Sequence, residues 1–301
     1  MKFFIVDAFT ENVFGGNPAG VVLLDSGSGF PGDEVMIKTA AELRYSETAF
    51  VKQEPDGELR LRYFTPTAEV DFCGHATIAA FTVLLKSGVI ENNYSYGIDT
   101  LSGKLTIDVT DDFIMMGMPA SKIIKRMDAP EEIAELYKAM GIGWEPVTVA
   151  DEGDSAVELA PVLISTGFPD IFLPVKDRRA LAEISPDFKA LSALTERRGA
   201  GGVHAFTLDA PETGITACTR NFAPLYGIDE EAATGTASGG LTYYLYAHGL
   251  ALPGQDCCFL QGEAMERPSK IFTTIKDAGK AVEIKVGGKG AILAEGEIHL
   301  I

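Results

Sequence analysis

Glu47 stands in the run Arg44-Tyr45-Ser46-Glu47-Thr48-Ala49-Phe50, where strand alternation puts it on one face with Ala49 and Val51. An acid on an apolar face needs a reason. Burial there would raise its pKa towards a value suited to taking and returning a proton; the alternative is a solvated Glu on an edge strand. Gly74-His75 and Gly235-Thr236 each open an apolar run that reads as a helix. A helix start leaves about four N–H groups unpaired and carries roughly half a positive charge. Glycine there lets an anion approach the backbone, or simply permits close packing. Two such starts facing one inter-domain cleft would hold a carboxylate without a Lys or Arg. Cys73, just before the first glycine, is the thiol candidate, although a lone cysteine is more often a buried apolar residue. His75 either hydrogen-bonds substrate, orients Glu47 or is structural. Glu231 closes Asp229-Glu230-Glu231, either as a positioning acid or as part of a solvated turn.

The elements that must position these residues occur twice. Gly16-Asn17-Pro18 is echoed by Gly167-Phe168-Pro169, and Ala49-Phe50-Val51 by Ala205-Phe206-Thr207. Arg62-Tyr63-Phe64-Thr65-Pro66 returns as Arg220-Asn221-Phe222-Ala223-Pro224, and Cys73-Gly74-His75 as Thr234-Gly235-Thr236. This alignment sets Val203 opposite Glu47 and Thr234 opposite Cys73, so acid and thiol each occur in one half only. Thr234 cannot act as a thiolate, which argues against a symmetric two-thiol racemase. Each half predicts a β-branched strand after its Gly-x-Pro turn, then a helix over 33–43 or, behind a Ser185 cap, over 186–194. Apolar central helices follow over 74–86 and 235–248, stopped by Gly88 and Gly249. A further helix begins at Asp128-Pro130-Glu131, with Asp128 in its cap. The boundary is placed at Met118-Pro119. This gives an N-terminal domain of 1–118 and a C-terminal domain of 119–290, with a closing strand over 291–301.

The 301 residues, 46% hydrophobic and 23% charged, describe a folded chain of about two domains. A net charge of −18 disfavours nucleic acid and anionic membrane surfaces. The uncharged stretch Ala232–Gln255 holds five glycines and a proline and reads as a buried helix and loop. The four cysteines form no CxxC, and His75, His204, His248 and His299 are scattered, so neither a disulfide framework nor a zinc site is expected. The glycine runs at 199–202 and 287–290 fit no nucleotide-binding fingerprint. A cytoplasmic protein is expected.

The runs DAFT with GNPAGVVLL, SETAFV, FTPTAEVDFCGHAT, ATGTAS and QGEAMERPS together resemble the PhzF-like phenazine-biosynthesis family, nearly from end to end. The resemblance implies a diaminopimelate epimerase-like α+β fold: two pseudo-symmetric domains, each a curved or barrel-like, mostly antiparallel sheet around a central helix. It also implies a return of the closing strand to the first domain, a homodimer, and a site between the domains without cofactor or metal. Glu47 matches the family's acid/base and Gly74-His75 its helix-start pair. Glu231 stands where the family has Asp, and Thr236 where it often has Ser. The resulting expectation is an isomerase that moves a proton between carbons of a small carboxylate-bearing metabolite. Glu47, His75 and Glu231 are its catalytic candidates; Asn17, Gly74, Gly235 and Thr236 bind substrate. The alternatives are an amino-acid epimerase or racemase, and a non-catalytic carboxylate-binding protein.

Overall fold

Short β-branched and aromatic runs separated by Gly, Asp and Asn turns become strands, and the two longest apolar runs become helices. The computed structural model describes residues 1–25, 27–150, 156–279 and 281–299, without the side chain of Ala150. The final two positions of the expected last strand lie outside them. The chain divides into two compact units, Met1–Gly117 with Gly287–Ile301, and Met118–Val286.

The first unit runs β1 (Lys2–Ala8), β2 (Asn17–Leu23), α1 (Asp33–Leu43), β3 (Thr48–Gln53), β4 (Leu59–Phe64), β5 (Glu69–Val70), α2 (Gly74–Lys86), β6 (Tyr94–Thr100), β7 (Gly103–Thr110) and β8 (Phe113–Gly117). The closing strand Gly290–Glu297 pairs antiparallel with β1, beside β2. The joins β2–β3 and β4–β6 are parallel, and each spans a helix, as a parallel pair requires a crossover. The joins β3–β4, β6–β7 and β7–β8 are antiparallel. Every residue of α2 from His75 to Leu84 is buried. This helix touches β1, β2, β3, β8 and the closing strand, so the row of strands bends around it. α1 covers the opposite face, against Val22, Leu24, Phe50 and Phe64.

The second unit adds β9 (Lys122–Arg126), α3 (Pro130–Ala139), β10 (Val147–Ala150), β11 (Ala156–Leu159), β12 (Val162–Ser165), β13 (Pro169–Pro174), α4 (Arg178–Glu183), α5 (Phe188–Arg198), β14 (Gly202–Thr207), β15 (Ala217–Ala223), β16 (Ile228–Glu231), α6 (Gly235–Ala247), β17 (Asp256–Gln261), β18 (Ser269–Asp277) and β19 (Val282–Gly288). Its joins repeat those of the first unit in the same order. They are antiparallel β12–β13, parallel β13–β14, antiparallel β14–β15 and β15–β16, parallel β15–β17 and antiparallel β17–β18. β9 lies on β12 as the closing strand lies on β1. α6 packs its Leu241, Tyr244 and Leu245 with Phe172 and Phe206. α3, α4 and α5 cover the other sheet face through Ile133, Leu181, Leu191 and Leu194. The fold is therefore mixed α+β and dominated by sheet, and the pairings among the described residues close neither row into a barrel.

Register corrects one expectation. Arg62 pairs with Phe50, and its echo Arg220 pairs with Ala205. Phe64 pairs with Thr48, and its echo Phe222 with Val203. Val203 is thus the counterpart of Thr48, and Gly202 that of Glu47. The error arose because the Ala-Phe echo is one residue out of step with the ladder, and one residue reverses the face. Two caps also differ. Asp187, not Ser185, starts α5, its Oδ1 accepting the Ala190 N–H at 3.0 Å. No side chain caps α3; Pro130 at its first position removes one of the unpaired N–H groups there. Among the described residues no helix is long and apolar enough to cross a membrane, and Ala232–Gln255 contains α6 and the loop after it.

Candidate active site

The first unit draws four residues from two separate runs into one cluster. Glu47 immediately precedes β3, and its carbonyl accepts the Gly20 N–H at 3.2 Å, which ties its backbone to β2. His75 is the second residue of α2 and 6% exposed; Glu47 is 17% exposed, with Oε2 3.3 Å from His75 Nε2. Ser46 Oγ lies 3.4 Å from the same nitrogen, and Cys73 Sγ 3.4 Å from His75 Nδ1. Cys73 is the extended residue from which α2 starts, and no side chain caps that start. Its carbonyl accepts the Thr77 hydroxyl, which in turn meets the buried Tyr63 hydroxyl at 2.7 Å. The helix start is thereby anchored to β4. Ala49 and Val51 are fully buried, and so are Thr48 and Phe50, so β3 is covered on both faces where it leaves Glu47. Asn17 is 6% exposed at the head of β2.

In the second unit Thr234 occupies the place of Cys73 as the extended residue before α6. Its hydroxyl donates to Glu231 Oε2 at 2.7 Å, and its N–H to Gln261 Oε1 at 3.1 Å. Gln261 returns an N–H to the Glu231 carbonyl at 2.7 Å. Glu230 pairs bidentately with Arg220, at 2.8 Å for each contact. Alternation along β16 therefore turns Glu230 to the guanidinium and Glu231 to the helix start, while Asp229 alone of the three is exposed to solvent. Gly235 is buried, and the Thr236 carbonyl accepts the Thr166 hydroxyl at 3.1 Å.

The second unit is not without a buried acid. Asp170 is the second residue of β13 and is 4% exposed. Burial, with the Glu231 charge adding to it, pushes its carboxyl up to about 7 against the favourable Gly202 N–H. A Cβ on Gly202 would lie 3.3 Å from Asp170 Oδ1. The carboxyl of Asp170 thus occupies the space beside the position that Glu47 holds in the first unit. Reading the repeat by sequence missed it because the acid comes from the neighbouring strand. An acid at the head of an otherwise apolar strand was the available signal. Ser46 and Gln261 were also missed; Gln261 carries no local signature.

His204 faces the same side as Phe172 and is fully buried, with Nδ1 3.1 Å from Asn221 Oδ1. Burial lowers its pKa to about 4, so it is neutral at physiological pH. Burial pushes the thiols of Cys218 and Cys258 up to about 11, which leaves them poor nucleophiles. Chemically, the first cluster offers a carboxylate and an imidazole at the positive end of a buried helix. Such a set can exchange a proton and stabilise nearby negative charge.

The sequence model of the family described as phenazine biosynthesis-like protein matches residues 6–296. An uncharacterized isomerase of Clostridium acetobutylicum is 32% identical over 98% of this chain and 97% of its own. The trans-2,3-dihydro-3-hydroxyanthranilate isomerase of Pseudomonas aeruginosa is 29% identical, covering 99% of both. The crystal structure of a PhzF-family phenazine biosynthesis protein from Bacillus anthracis superposes with a TM-score of 0.85 at 27% identity, over 99% of both chains. A probable proline racemase from Agrobacterium radiobacter shares the fold, with a TM-score of 0.63 at 14% identity.

Proposed function

Since the chain belongs to the phenazine biosynthesis-like family, whose relatives are named isomerases, we propose that it moves a proton between two carbons of a small carboxylate-bearing metabolite. The observation that carries this reading is the contact of 3.3 Å between Glu47 Oε2 and His75 Nε2 at the start of α2. Glu47 as carboxylate takes the proton from carbon, and the C–H electron pair passes into an enolate-like anion. The backbone at Gly74 and His75, at the positive end of the helix, stabilises that charge. The same carboxyl then returns the proton to the second carbon. His75 orients Glu47. Asn17 completes the proposed carboxylate grip in this unit; Gly235 and Thr236 offer a second helix start in the other unit, where Glu231 holds Thr234 in place. No cofactor is called on, and the protein is taken to act in the cytoplasm as a homodimer.

The Pseudomonas relative sets the model substrate class: a cyclic, amino-acid-like carboxylate with an allylic proton. The test incubates the protein in deuterium oxide with a panel of such carboxylates and follows each by proton NMR. Deuterium should enter at the carbon that receives the returned proton, and Glu47→Gln should abolish its entry. Full incorporation by Glu47→Gln would end this assignment.

A second reading, an amino-acid epimerase, gains support from Asp170 and Glu231, which supply carboxyls in the second unit as well. It differs in outcome. Epimerisation exchanges deuterium at one carbon and inverts it; the proposed isomerase shifts a double bond.

A further inference from the structure

Glu47, Cys73 and His75 each bring a metal-ligating atom into a group within 4.8 Å of one another. Carboxylate, thiolate and imidazole are the donors zinc takes, whereas calcium and magnesium prefer oxygen alone. Zinc bonds of about 2.0 Å to N and O and about 2.3 Å to S separate tetrahedral ligands by roughly 3.3 Å for N and O, and roughly 3.5 Å for N and S. His75 Nε2 lies 3.3 Å from Glu47 Oε2 and 3.9 Å from Cys73 Sγ. The first separation is that of a coordinated pair; the thiol, which lies nearer His75 Nδ1 at 3.4 Å, must turn about its Cα–Cβ bond towards Nε2 to supply the second. The ligands are also held by the fold. Cys73 and His75 flank the first residue of α2, and the Glu47 backbone is tied to β2. Cys73 is 9% and His75 6% exposed, so both donors are shielded from bulk solvent.

We propose that Glu47, Cys73 and His75 bind a zinc ion, and that the ion silences the site. On binding, the Cys73 thiol gives its proton to solvent as the sulfur–zinc bond forms, with no change of oxidation state. A Glu47 oxygen that donates to zinc is a poorer base for a C–H proton, and His75 Nε2 is no longer free to orient it. The ion is an inhibitor and not a cofactor, because the groups that ligate it are those that move the proton when it is absent. Loss of turnover as the consequence rests on the acid/base reading above; binding itself does not.

The test titrates metal-free protein with cobalt(II), then with zinc. The expected result is one equivalent of cobalt, showing the near-ultraviolet thiolate band and the visible bands of a four-coordinate ion, both displaced by zinc. Cys73→Ser should remove the thiolate band while Cys218, Cys257 and Cys258 remain. His75→Gln, the second variant in case the first does not fold, should weaken zinc binding by about tenfold or more. Circular dichroism checks the fold of each. A protein with no thiolate band in millimolar cobalt overturns the proposal, as does a band that survives Cys73→Ser. Deuterium exchange by the metal-free protein is read separately, so failure of the isomerase reading leaves the cobalt result standing and the converse also holds.

Discussion

Cys73 and Glu47 both touch the His75 imidazole, and their chemical tasks differ. In the proposed chemistry the proton is moved by the carboxylate, which is partly exposed, and not by the buried cysteine. Cys73→Ala should therefore retain turnover within about tenfold of the native rate, a barrier change of about 1.4 kcal/mol, through looser orientation of His75. The measurement is deuterium incorporation beside Glu47→Gln. A dead Cys73→Ala with an active Glu47→Gln would hand the chemistry to the thiol. Both candidates were legible in the sequence, in SETAFV and FCGHAT. That they share one histidine was not, because 26 residues separate Glu47 from Cys73 and only the β2–β3 pairing and the α2 start bring them together.

β13 and β14 carry two buried titratable groups towards α6, and they pull stability in opposite directions with pH. Asp170 has a raised pKa of about 7, so its folded form keeps a proton that the unfolded chain loses near pH 4. Its contribution is present below about pH 4 and is lost as pH rises through about 7. His204, lowered to about 4, contributes above about pH 6.5 and loses that contribution as pH falls through 4. The two partly cancel in the native protein, so the single variant is informative. Asp170→Asn mimics the protonated acid and should stabilise the protein at pH 8 relative to native, by an amount on the order of a few kcal/mol. It should leave stability at pH 4 little altered. Urea unfolding at the two pH values checks this; equal effects at both would show that Asp170 does not titrate between them.

At the scale of the whole chain, the first unit is completed by residues from the other end of the sequence. The closing strand pairs with β1 from Lys2 to Ala8, along Phe4, Val6 and Ala8, all buried. Deleting residues 287–301 leaves that edge of β1 unpaired and exposes part of the face under α2. The second unit, Met118–Val286, loses only the last two residues of β19 in this truncation. Limited proteolysis of the truncated chain should therefore degrade the first unit and leave a resistant fragment over about 118–286. Equal resistance of both units would show that the closing strand is dispensable.

The repeat, the two buried central helices, α1 at 33–43 and the acid/base candidates were determined by the sequence itself. Their signals are local: apolar periodicity, glycine stops and a Gly-His at a helix start. Helix α4, the Asp187 cap and the true partner of Glu47 were not, since caps and registers depend on which residue meets which across a ladder. Asp170 makes the point most sharply. In sequence it belongs to the echo of β2, far from the echo of Glu47, and neither repeat nor spacing connects the two. Only the parallel pairing of Asp170 with Gly202 puts its carboxyl beside that position, where burial and the Glu231 charge decide its protonation. The donor set of Glu47, Cys73 and His75 has the same origin. Residue types are written along the chain, but distances between side chains on different elements arise when the sheet bends around its helix.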